Sequence, residues 1–265
     1  MTVAALRRRR APDGVAGAMS AEWVKLWSVR STWWSLTATL LLILAFVLIV
    51  AVSAMESKAN GFAIPPMTPA EVSAQGVFLL GQMGLATLAA MAMAGEYATG
   101  SILSTLQWVP RRGRLLLAKA LVVAPVLFAA GTVVTALGAL AALPFLEDVA
   151  GPWTYGDVVT SALQVGGYSA VIAVIALGLA AMLRSVAGTL GCTFLLQLIL
   201  PMALESTGVD MLVTASKYFP GTAGLTLLGM EEPVYSSATA VAVLLGWAAA
   251  AWAGGVAVLK SRDAV

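Results

Sequence analysis

Apolar positions in this chain come in long unbroken runs, separated by short polar stretches. Six runs cover residues 33–54, 77–94, 118–145, 158–183, 186–204 and 238–259. At ~1.5 Å of rise per residue, each is long enough to cross ~30 Å of hydrocarbon as a helix. Unpaired backbone cannot face lipid, and a strand barrel would show alternating segments of ~10 residues, so the runs predict helices. The expected fold is therefore an all-α integral membrane protein with six spans. The fourth and fifth runs are separated only by Arg184 and Ser185, which predicts a tight helical hairpin there. The first run is too long for the ~7–15-residue core of a cleaved signal peptide. Its basic cluster also lies far upstream.

One stretch outside these runs is amphipathic. Residues 20–31 place Trp23, Leu26 and Trp27 on one face, with Glu22, Lys25 and Ser28 elsewhere. This predicts an interfacial helix with its tryptophans at headgroup depth, Ser20 as a cap and Glu22 in the first turn. Residues 1–19 read as a disordered basic leader, carrying Arg7, Arg8, Arg9 and Arg10 with Pro12, Gly14 and Gly17. Before the last run, residues 218–229 are moderately apolar but broken by Pro220, Gly221 and Gly224. They are too short to span and suit a re-entrant element. In the last run Ala242, Gly246, Ala250 and Gly254 recur every four positions, a stripe that permits close helix approach within the chain or between subunits.

Composition agrees with the pattern. Only 11% of residues are charged against 60% hydrophobic, whereas soluble domains carry ~25% charged residues. There is no His and a single Cys, Cys192. This excludes His-based zinc sites, a Ser-His-Asp triad and an intramolecular disulfide. The charge distribution sets orientation. With the N-terminus inside, Lys25, Arg30, Arg111, Arg112, Arg114, Lys119, Arg184, Lys260, Arg262 and the four leader arginines are cytoplasmic. Only Lys58 and Lys217 are outside. Both termini, including the tail 260–265, are expected in the cytoplasm.

The loop between the second and third runs, GEYATGSILSTLQWVPRRGRLLLAK, is more elaborate than a simple connection. Residues 101–109 form a short amphipathic segment, Pro110 ends it, and Arg111, Arg112 and Arg114 follow. The arginines either set topology and touch anionic lipid or take part in docking. Glu96, at the start of this loop, either faces water, pairs with Arg111, Arg112 or Arg114, or caps the short segment that follows. Gln82, Gln164 and Gln197 are polar groups inside spans and need partners in lipid. They either bond between helices or line a polar path. Met83, Met91 and Met93 either pack or form an adaptable apolar surface.

Two blocks, residues 22–34 (EWVKLWSVRSTWW) and residues 96–119, make the chain resemble the permease subunits of ABC-2 type ATP-binding cassette transporters. The six spans, the inside N-terminus and the long final outer segment also fit. The resemblance implies a type V exporter-like permease fold, paired with a second permease subunit, identical or different. It also implies a cytoplasmic ATPase that binds the ATP and Mg. In that family the loop after the second span carries a helix that docks into the ATPase. Here this maps onto Ser101, Ile102, Leu103, Thr105, Leu106 and Trp108, flanked by Arg111 and Arg112. The family's pathway involves the second and fifth spans, which implies a lining role for Gln82 and Gln197. The expected function is export of a small hydrophobic or amphipathic molecule across the plasma membrane. The partners are the bilayer, an ATPase and a second permease, with no nucleic acid.

The residues agree with this division of labour. No GxxxxGK[ST] phosphate loop is present, so ATP is not bound here through that motif. No ionisable group lies near mid-span, Lys119 being close to the cytoplasmic end, which argues against an ion-driven carrier. Ser161 and Ser169 have no base beside them at depth, so hydrolysis has no support. The alternative is a membrane sensor or scaffold without transport.

Overall fold

A computed structural model describes residues 14–261 apart from 64, 109–111, 148 and 231. The arginines at 7–10, Arg111 and tail residues 262–265 therefore lie outside the described residues, as do the side chains of Leu106 and Trp108. All regular elements among the described residues are helical. We number them α1 (Val15–Ser28), α2 (Arg30–Ala59), α3 (Pro69–Ala98), α4 (Ile102–Trp108), α5 (Arg112–Leu146), α6 (Tyr155–Leu183), α7 (Val186–Glu205), α8 (Asp210–Ser216), α9 (Pro220–Leu227) and α10 (Ser237–Ser261). Six of them, α2, α3, α5, α6, α7 and α10, are long and apolar enough to cross a membrane. The architecture is that of a multi-pass membrane protein. Each helix extends beyond its apolar run, because polar residues continue a helix that lipid requires only through its middle.

The ends are set by local chemistry. Thr68 and Glu71 form a reciprocal capping box at the start of α3, with Pro69 in the first turn. Thr154 and Asp157 do the same for α6. Ser185 caps α7 by accepting from the Gly188 N–H at 3.2 Å. The preceding Arg184 takes a left-handed conformation, φ 53°, and completes the expected two-residue hairpin. Its guanidinium lies over the Tyr97 ring, 4.9 Å from the centroid. In α1 the helix begins at Val15, inside the stretch read as a leader. Ser20 is not a cap but an interior residue, whose hydroxyl donates to the Ala16 carbonyl.

The bundle is organised around α6. Of its most apolar stretch 72% is buried, against 22% for the corresponding stretches of α7 and α10. Without a hydrophobic force between helices in lipid, close packing relies on small residues. Gly178 meets the Ala251 backbone, Gly166 the Phe128 carbonyl, and Gly131 the Ser169 side chain. Within the chain α10 packs through Ala240, Leu244, Ala248, Ala251 and Gly255. The stripe Ala242, Gly246 and Ala250 faces outward instead. Large apolar side chains such as Leu41, Ile49, Leu140, Leu163, Met202 and Leu245 cover the outside, as lipid contact requires.

Aromatic groups gather at both ends of the bundle, as at membrane boundaries. Trp27 lies between Trp23 and Trp33, with ring centroids 5.6 and 5.1 Å away. At the other end Trp153 meets Tyr155, and Tyr218 stacks on Tyr235. The start of α1 and the end of α10 lie at the first of these ends, with Arg30, Arg114, Arg184 and Lys260; Lys58 and Lys217 belong to the other.

The α6–α10 contact makes a sharp prediction. A Cβ added at Gly178 would stand 2.3 Å from the Ala251 carbonyl oxygen, whereas one at Gly246 meets nothing within 4 Å. Gly178→Ala is expected to destabilise the fold by ~1–3 kcal/mol through overpacking. Gly246→Ala should leave thermal unfolding of the purified monomer unchanged.

Candidate functional site

At the basic end, four elements converge on a cluster of four charges. The inward face of α1 carries Ala18, Glu22 and Leu26 at four-residue spacing. Glu22 is thus buried, while Trp23 on the adjacent face is exposed, so the acidic residue belongs to the packed side of α1. Glu96 occupies the last turn of α3. Lys119 lies two turns into α5, fully buried. Its ammonium donates to Glu22 Oε2 at 2.6 Å, Glu96 Oε1 at 2.7 Å and the Ala92 carbonyl at 2.7 Å. The Lys25 ammonium donates to Glu22 Oε1 at 3.0 Å, Glu96 Oε1 at 2.9 Å and Thr105 Oγ1 at 3.1 Å.

An ammonium has three donors, so both lysines are saturated. Two carboxylates balance two ammonium groups, and the cluster is neutral overall. That balance is what allows it to be buried, since an unpaired charge would carry the full desolvation cost. Burial alone would lower the Lys25 pKa. The bond to Glu96 and the charges of Glu22 and Glu96 outweigh it and hold the value above the usual 10.5. A raised lysine pKa stabilises the fold fully below its ordinary value and loses that stabilisation only as the pH climbs through the raised one. Lys25 therefore stays charged throughout the neutral range.

Glu96 pairs with Lys25 and Lys119 rather than with Arg112 or Arg114. Arg111 lies outside the described residues, and Arg114 is exposed. The Arg112 guanidinium donates to the Leu259 carbonyl near the end of α10, where a cation complements the helix dipole. The reason is depth: Glu96 and Lys119 are buried, whereas Arg112 and Arg114 lie nearer the surface. The sequence reading missed Lys119 and Lys25 as the partners of Glu96, and Glu22 as the second carboxylate they share. The signals were a lysine embedded in LLLAKALVV and a glutamate in register with Ala18 and Leu26.

The cluster also holds the short helix α4. Gly100, at φ 72°, turns the chain out of α3. Ile102 and Thr105 face inward and are buried, and the Lys25 bond ties Thr105 to the cluster. Ser101, Leu103, Ser104 and Gln107 are exposed, Leu103 by 51%. The expected segment 101–109 is thus a helix over Ile102–Trp108, with its apolar Leu103 turned away from the protein.

A second polar junction lies midway along the bundle. Tyr168 of α6 is completely buried, and its phenol oxygen is 2.7 Å from Gln82 Oε1 and 2.6 Å from Gln197 Oε1. The phenol has one proton, so it donates to one amide oxygen, and the other glutamine must present its NH2 group. The junction joins α3, α6 and α7. Both glutamines are buried at this three-helix contact rather than on an open surface. Gln164 is exposed and takes no part.

Two π-helical turns flank the junction, Val77–Gly81 in α3 and Leu195–Ile199 in α7. The short helix α9, with Pro220, Gly221, Ala223, Gly224 and Thr226 buried, closes over it. Gly224 packs on the Tyr168 and Phe78 rings, and a Cβ at Gly221 would strike the Gln197 carbonyl oxygen. Pro201 has no N–H, so that carbonyl lacks its usual helical donor. The glycine backbone takes the vacated space.

Lys119→Met strands two carboxylates beside a single half-exposed lysine and should cost ~3–5 kcal/mol, read as a fall in unfolding temperature. Lys25→Met should cost much less, because 45% of that side chain faces solvent. Tyr168→Phe leaves two buried amides facing each other and should cost ~1–3 kcal/mol. No protein-family model matches this chain, and no curated protein matches it.

Proposed function

We propose that this chain is the membrane-spanning permease subunit of an ABC-2 type exporter in the plasma membrane. It moves a small hydrophobic or amphipathic molecule outward while a separate cytoplasmic ATPase, holding ATP and Mg, supplies the energy. The observation that carries this reading is the attachment of α4. A short helix lies at the basic end with Leu103, Ser104 and Gln107 presented outward. Its inward residue Thr105 is bonded to a charge cluster that joins α1, α3 and α5. A partner that grips and shifts α4 therefore pulls on three helices at once.

The charge asymmetry supports placing that end in the cytoplasm. The re-entrant helix α9 and the six spans are consistent with the permease resemblance. A second permease subunit, identical or different, would pair with this one along the spans.

The test is co-purification with an ATPase and transport into vesicles. Leu103→Glu is expected to abolish both capture of the ATPase and transport, with the unfolding temperature unchanged. A Gly/Ser linker in place of residues 101–109 should do the same. If the linker leaves transport intact, or if the chain carries out its role without an ATPase, the reading fails and a sensor or scaffold takes its place. A reporter fused at Trp108 should register in the cytoplasm.

A further inference from the structure

Beside the charge cluster is a cavity of about 400 Å³, within the ~300–1,000 Å³ range of small-molecule sites. It lies between α1, the first turn of α2, the last turns of α3, and Val123 of α5. Its interior is mostly apolar, formed by Leu26, Leu88, Met91 and Val123. Its rim is polar and exposed, with Ser28, Thr99 and Ser101. Glu22, Lys25 and Glu96 form the charged side. Gly95 also lines it, and a Cβ added there would meet no atom within 4 Å.

The hydrogen-bond inventory of the cluster restricts what headgroup fits. Every N–H of Lys25 and Lys119 is already engaged, so no ammonium donor remains for a phosphate or carboxylate. One group is unsatisfied: Glu96 Oε2 is buried with no partner among the described residues. A carboxylate oxygen only accepts, so its missing partner must be an N–H or O–H. The four charges already cancel, so a further net charge is not required. Ser31 and Thr32 add hydroxyls on the α2 side.

We infer that this cavity binds a neutral amphiphile drawn from the adjacent membrane leaflet, one apolar chain against Leu88, Met91 and Val123 and a hydroxylated headgroup that donates to Glu96. The headgroup reaches Glu96 from the cavity that this residue lines. The chain lies at membrane depth beneath α1, whose Trp23 and Trp27 mark the boundary. The inference does not depend on an ATPase partner; it requires only that the basic end lie at a membrane–water interface.

Full-length protein in phosphatidylcholine vesicles would be photolabelled with a diazirine-bearing alkyl glycerol. Two probes with the same chain would carry a phosphate or a trimethylammonium head, neither of which matches an acceptor site in a neutral cluster. The glycerol probe should label peptides containing Met91 or Val123, saturably. Gly95→Phe, which fills the cavity, should weaken that labelling by about ten-fold or more, about 1.4 kcal/mol or more in affinity, with the unfolding temperature maintained. Ser31→Phe adds bulk from the α2 side and should act in the same direction, which keeps the test intact if Gly95→Phe fails to fold. Equal labelling by the phosphate or trimethylammonium probe would overturn the headgroup assignment. Labelling unaffected by both variants, or confined to the separate groove at Trp27, Pro125 and Val133, would overturn the site.

Discussion

Two carboxylates and a backbone carbonyl surround the Lys119 side chain in the interior, and the rest of the basic end follows from this arrangement. One carboxylate comes from α1, a helix outside the spans, and the other from the last turn of α3. Burying the lysine thus obliges α1 to lie against α3 and α5, with Glu22 turned inward. Lys25, three residues on, then reaches the same carboxylates from the solvent side and uses its last donor on Thr105. Bonds of this kind are directional and short-ranged, unlike apolar packing, which in a lipid environment has little preference for one neighbour over another. The cluster therefore specifies position as well as adhesion.

The mid-bundle junction solves a different problem with neutral groups. Gln82 and Gln197 both turn their side-chain amides to the Tyr168 hydroxyl across α3, α6 and α7. Each of the two glutamine-bearing helices contains a π-helical turn beside the contact. Such turns insert an extra residue into a helix and commonly mark functional positions. Gln82 directly follows one of these turns and Gln197 lies within the other. The glycines of α9 then approach closely enough to seal the junction from the opposite end of the bundle. Basic-end and mid-depth contacts share α3, so the two polar centres are linked by one helix that runs from Glu96 back to Gln82.

Much of the fold was legible because bilayer thickness imposes a length on each apolar run. All six spans, the hairpin at Arg184 and Ser185 and the short helix after α3 were readable in this way. Cap positions were less so. The box at Thr68 and Glu71 is a recognisable pattern, yet α1 starts at Val15 with no side-chain cap. Charge partners were the least legible. Glu96 lies closer in sequence to Arg111, Arg112 and Arg114 than to its actual partners, Lys25 and Lys119, of which Lys25 is 71 residues away. Proximity along the chain says little about depth in the bundle, and depth decides which charges meet. Tyr168 was missed for a related reason: a single phenol in an apolar helix carries no spacing pattern, and only the fold shows two glutamines aimed at it.

The saturation of both lysines has a consequence for any motion at the basic end. Thr105 can leave the cluster only by freeing one Lys25 donor, and that donor faces solvent, where water can replace the hydroxyl at modest cost. Lys119 has no such recourse, because its side chain is buried away from solvent. The cluster is therefore weak toward α4 and strong toward α1, α3 and α5. A force applied to α4 within the strength of the Thr105 bond and the Ile102 contact moves the joined helices together; a larger force detaches α4 and leaves the buried charges paired. This ordering suits a detachable handle on a fixed frame, and it follows from the exposure difference between two lysines.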